Sequence, residues 1–108
     1  MNGKERKLFR NSRAWKEFRA RIKEKQKTDP VTGAKLTPMS NLHHMDLDDS
    51  HYTDLSDESH FVFLNQATHK CVHYLFLKSR PREWRKRIAA LVEILETMER
   101  LNGKKEKG

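Results

Sequence analysis

Six histidines, all between His43 and His73, constrain this chain more than any other feature of its sequence. His43 and His44 are adjacent in a run that reads as a β-strand, Asn41-Leu42-His43-His44-Met45-Asp46-Leu47. Neighbouring strand side chains point to opposite faces, so one ring can bond a cation while the other stays free to act as a base. His69 and His73 are four apart in a segment that reads as a helix. That spacing puts both imidazoles on one helical face, where they can share a metal ion. An i, i+4 pair or a His-His dipeptide alone is common on protein surfaces. Both together, in strand–loop–strand–helix order, are far more specific.

The elements around this stretch follow from local patterns. Residues 1–10 are polar and basic and are expected to fray. Ser12 is placed to cap a helix running to about Lys27, whose Trp15, Phe18 and Ile22 recur at helical spacing and form a core stripe. Thr28-Asp29-Pro30-Val31-Thr32-Gly33 is a turn signal, since proline fixes φ and glycine permits φ > 0. Ala34-Lys35-Leu36 and Asn41–Leu47 read as two short strands of a β-hairpin connected by Thr37-Pro38-Met39-Ser40. Residues 48–60 form a polar loop. Phe61-Val62-Phe63-Leu64 is a short strand or a helix lead-in, and Asn65 is a candidate cap for a helix over about 66–77 that Pro81 ends. A last helix runs from about Arg82 to Leu101 and stops at Asn102-Gly103. Trp84, Ile88, Leu91, Leu95, Met98 and Leu101 form its apolar face, expected to pack on its own domain in preference to a second copy. The tail from Lys104 is expected to be mobile.

A chain of 108 residues with 35% hydrophobic content supports one small core and not two. Domains this size often need a metal or a disulfide, and the single cysteine, Cys71, rules out an internal disulfide. That fits a reducing cytoplasm. No apolar run is long enough to span a bilayer, and the basic N-terminus lacks the apolar stretch of a signal peptide, so neither membrane nor secretion is expected. The net charge is +8 and is unevenly distributed. Residues 1–28 carry 11 Lys/Arg against 3 Asp/Glu, residues 29–60 carry 1 against 7, and residues 61–108 carry 11 against 5. Basic ends attract a polyanion, and an acidic centre can hold a cation, which is the electrostatic outline of a metal-using nucleic-acid protein. The competing reading is a soluble protein with solvated basic helices.

Asn41–Leu47, Phe61–Asn65 and His69-Lys70-Cys71-Val72-His73 together resemble the motif of the His-Asn-His (HNH) endonucleases, the ββα-metal or His-Me finger nucleases. The turn Asp29–Leu36 also resembles the Cys-x-x-Cys-Gly-x-x-Leu knuckle that often precedes that motif. The resemblance covers about residues 28–76. It implies an α+β fold: a treble-clef-like ββα-metal finger with a β-hairpin and a helix, flanked by N- and C-terminal helices in one domain. It also implies that His43 is the first metal ligand, His44 the general base, His69 the helical ligand, and His73 a further ligand or phosphate contact. The middle position falls on His60 by counting back from His69, with Asn65 as the alternative. That residue normally orients the base through a carbonyl, a task an imidazole performs only as an acceptor.

The chain departs from the family where many members hold a structural zinc with four cysteines. Asp29 and Thr32 stand at the first knuckle, Asn65 and Thr68 at the second. Hydrogen bonds from these groups, and the helices bearing Trp15 and Trp84, are expected to replace that metal.

By resemblance the activity is metal-dependent hydrolysis of DNA phosphodiesters, nicking or cutting both strands, to a 5′-phosphate and a 3′-hydroxyl. One divalent ion is expected. Imidazole ligands suit Zn, Ni, Mn or Co, while related nucleases also use Mg. Phosphate contacts fall to Arg13, Arg19, Arg21, Lys78, Arg80, Arg82, Arg85 and Arg87, which position a duplex without reading its sequence. Asp46 and Asp48 are outer-shell candidates or solvated loop charges. The short form resembles nucleases of phages and mobile elements, which by analogy implies the host cytoplasm, packaging proteins as partners, and a monomer or homodimer. Two rivals remain: a DNA-binding or assembly module that keeps the fold without the chemistry, and a protein whose histidines hold a purely structural metal.

Overall fold

A few side chains, Phe18, Ile22, Phe61 and Phe63, build the core. The computed structural model describes residues 2–77 and 83–103. Helix α1 spans Gly3–Arg10, α2 Arg13–Lys25, strand β1 Asn41–His44, strand β2 Phe61–Leu64, α3 Gln66–Phe76 and α4 Trp84–Asn102. Short 3-10 turns occupy Asp49–His51 and Glu58–His60. The class is α+β, with a two-stranded antiparallel sheet. The residues fall into two compact units, one up to His69 and one from Lys70 onward, the boundary lying within the continuous helix α3.

In the first unit, the side chain of Ser12 accepts the Trp15 amide and starts α2, satisfying a donor that a helix start otherwise leaves orphaned. The stripe then delivers Phe18 and Ile22 into the core, with Trp15 partly buried beside them. They meet Phe61 and Phe63 from one face of β2, with Leu36, Leu42 and Leu55 around the edge. Phe18 and Phe61 pack edge to face at 4.7 Å between centroids, the arrangement ring quadrupoles favour. Full burial of each phenylalanine contributes roughly 1.5–3 kcal/mol, so these few rings carry much of a small core.

Two local expectations change. Residues 3–10 are not frayed: they form α1, begun by a capping box between Asn2 and Glu5, and Phe9 packs against Trp15 and Tyr52. The expected hairpin between 34–36 and 41–47 is also absent. β1 pairs with β2 instead, in the register Asn41↔Leu64, Leu42↔Phe63, His43↔Val62 and His44↔Phe61. Lys35 forms only an isolated bridge, to Thr28 across the turn. The helix expected over about 66–77 is α3, Gln66–Phe76, followed by Leu77 at a left-handed φ of 42°; Pro81 lies outside the described residues.

The turn holding Lys35 is tied together by one buried carboxylate. Asp29 Oδ1 accepts the amides of Val31 and Thr32, and Oδ2 accepts that of Asn65. Gly33, at φ 74°, closes the loop with its amide on the Asp29 carbonyl. Gln26, just beyond α2, lies along the outer edge of β2: its Oε1 accepts the Phe63 amide and its Nε2 donates to the Phe63 carbonyl, each at 2.8 Å. A side-chain amide thus stands in for a third strand.

The second unit contains the rest of α3 and the 19-residue α4. Arg87 on α4 donates to the carbonyl of Leu75 at 3.0 Å. The α4 face expected to be buried remains open, with Leu91 39% and Leu101 73% exposed. Arg82 and the tail from Lys104 lie outside the described residues.

Candidate functional site

Pairing β1 with β2 fixes where the adjacent histidines point. His44 lies opposite Phe61 and shares its face, so His43, one residue earlier, occupies the other face. There the His43 ring, 8% exposed, meets the His69 ring on α3 at 5.1 Å between centroids and 68° between planes. His73 lies one turn further along the same helix face. The ligand atoms of His43 and His69 lie within 4.8 Å of each other. A tetrahedral ion with bonds of about 2.05 Å needs donor atoms about 3.3 Å apart, so small ring movements close the gap. The donor pair, two imidazoles with His43 nearly buried, fits a borderline-soft divalent cation.

His44 takes a different environment. Its ring stacks on Phe61 at 4.2 Å and 12°. Burial lowers its pKa from the ordinary imidazole value, against the opposing pull of Asp46. The ligand atoms of His44, Asp46 and His60 form a second group within 4.8 Å. Asp46 is held on both oxygens: Oδ1 accepts the Asp48 amide at 2.9 Å, and Oδ2 lies 2.7 Å from Nδ1 of His51. These bonds, the Asp48 amide first, lower the Asp46 pKa, and the same contact raises that of His51. His60 has Asp57 at 3.3 Å from its Nε2.

Of the two candidates for the middle position, His60 joins the group around His44, whereas Asn65 sits at the start of α3. Its amide accepts from Thr37 and donates to Lys35, so it serves the turn segment. Asp29, Asn65 and Thr68 do converge. Burial raises the Asp29 pKa, but the amides of Thr32 and Asn65, the Thr68 side chain and the Val31 amide outweigh it and bring the value down to about 2. A hydrogen-bonded carboxylate thus occupies the centre of the turn.

The basic residues expected to contact phosphate have intramolecular partners. Arg13 pairs with Glu17 on an exposed helix face. Arg19 lies over Phe63 and reaches the Ser40 carbonyl, and Arg21 lies over Phe18 with Glu58 at 3.8 Å. Arg85 stacks on Trp84, and Arg87 bonds to Leu75. Lys78, Arg80 and Arg82 lie outside the described residues. Sequence reasoning missed Gln26 and His51. The first carries no signal, being one polar residue past a helix end, whereas the second lies five residues from Asp46 in an acidic loop and could have been paired with it.

Comparison of the chain with protein-family models, curated proteins and solved structures finds no match. No described helix is long and apolar enough to cross a membrane.

Proposed function

We propose that this chain is a metal-dependent DNA endonuclease of the HNH type, built on a ββα-metal finger formed by β1, β2 and α3. The observation that carries this reading is the meeting of the His43 and His69 rings at 5.1 Å, with His44 directed to the other face of the strand. His43 and His69 would hold one divalent cation. When bound, it supplies positive charge for the phosphate and the departing O3′. His44 takes the proton from a water as that oxygen bonds to phosphorus and the P–O3′ bond breaks. Stacking on Phe61 fixes its ring plane, and His60 acts as a positioning residue beside it. Arg13, Arg19, Arg21, Arg85 and Arg87, with Lys78, Arg80 and Arg82, attract the backbone without reading bases, so sequence selectivity is weak.

Supercoiled plasmid incubated with Mg, Mn, Ni or Zn, against a chelator control, tests the activity. The parent converts it to nicked or linear forms only with metal, and His44→Ala abolishes conversion while retaining DNA binding and the ion at His69. Undiminished nicking by His44→Ala contradicts the assignment of the base. Metal-independent folding with no cleavage favours the alternative, a DNA-binding module without chemistry, which the basic ends equally support.

A further inference from the structure

We propose that His44, Asp46 and His60 form a second cation site, and that a borderline-soft divalent ion bound there shuts the enzyme off by occupying its base. Only the consequence for activity rests on the nuclease reading; the binding rests on geometry.

Two imidazoles and one carboxylate offer ligand atoms within 4.8 Å of one another. This set suits Zn, Ni, Co or Mn and disfavours Mg, which prefers oxygen ligands and retains its waters. Each ligand is already oriented. The Phe61 ring holds the plane of His44. The Asp48 amide and His51 each engage one oxygen of Asp46, and a carboxylate oxygen keeps a further lone pair when it accepts one hydrogen bond. An ionised carboxylate only accepts, so His51 is the donor in this contact. Asp57 lies beside His60. Ligands steadied by such outer partners hold metals more tightly. The surroundings are acidic as well: Asp54 acts electrostatically on both His44 and His60.

This group is separate from the His43 group because adjacent strand residues face opposite ways. The two sites therefore differ in ligand chemistry, all imidazole on one face and mixed nitrogen and oxygen on the other. An imidazole nitrogen bonded to an ion has no lone pair left to accept a proton. Cleavage should accordingly rise as the first Zn(II) binds and fall as the second does, whereas Mg(II) should only raise it.

Equilibrium dialysis of the metal-free full chain against Zn(II) tests the proposal, with circular dichroism confirming that each variant is folded. The parent should hold two ions per chain, Asp46→Ala and His60→Gln one each, and His69→Ala one. In plasmid nicking, Asp46→Ala should lose the fall at high Zn(II). A parent that holds one ion, or folded Asp46→Ala and His60→Gln proteins that still hold two, overturns the proposal and leaves the nuclease reading intact. Two ions with no cleavage under any metal sustain the second site and remove the nuclease reading.

Discussion

The carboxylate of Asp29 accepts the amide of Asn65 at 3.0 Å, tying the turn after α2 to the first residue before α3. Its other oxygen holds the Val31 and Thr32 amides. The clasp matters for the site because it anchors the start of α3, and with it His69. The carboxylate that makes this clasp is fully buried. Asp29→Ala leaves several buried N–H groups without a partner, each such loss costing about 1–3 kcal/mol. The variant is expected to be about 3 kcal/mol less stable in urea titration, a large share of what a domain this small possesses.

The same carboxylate sets an acid limit. Its pKa in the folded chain, about 2, lies below the ordinary 3.8. A depressed folded value means that the unfolded chain binds the proton first, so the stabilisation is complete above about pH 4 and is lost as pH falls toward about 2. The stability gap between the parent and Asp29→Ala should be full at pH 6 and shrink through that window. A gap that does not change between pH 6 and pH 2 would show that the charge on Asp29 is immaterial.

Gln26 closes the free edge of β2 with two hydrogen bonds to Phe63. Gln26→Ala unpairs one buried donor and one acceptor and should cost about 2 kcal/mol. Hydrogen exchange at the Phe63 amide reads this locally: protection should drop there more than in the middle of α2.

If the exposed cations bind phosphate, removing one of them changes the salt dependence of binding and not base preference. Arg13→Ala, which removes only an exposed pair with Glu17, should flatten the slope of log K against log salt by about 0.9 without altering the fold. An unchanged slope would place duplex DNA elsewhere on the surface.

Much of this architecture is readable from local signals. Ser12 and the Trp15–Phe18–Ile22 spacing identify α2, and alternation alone sends His43 and His44 to opposite faces. The departures share a cause in tertiary choice. Ala34-Lys35-Leu36 is close in sequence to β1, which makes a hairpin look natural, yet Phe61 and Phe63 offer β1 a partner whose face also covers Phe18. Burial decides the pairing against proximity. Helix α1 is hidden in the sequence because its charges resemble a frayed tail, while Asn2 and Glu5 cap it and Phe9 reaches Trp15. The meeting of His44 with His60 depends on Met45 donating to the His60 carbonyl, a continuation of strand pairing that periodicity does not reveal.

The most direct test of the central claim is an anomalous difference map from crystals of the protein grown with Mn(II). The account predicts a peak about 2.0–2.3 Å from a ring nitrogen of both His43 and His69. A bound ion that touches neither ring, or a map with no peak between β1 and α3 at saturating metal, would contradict it.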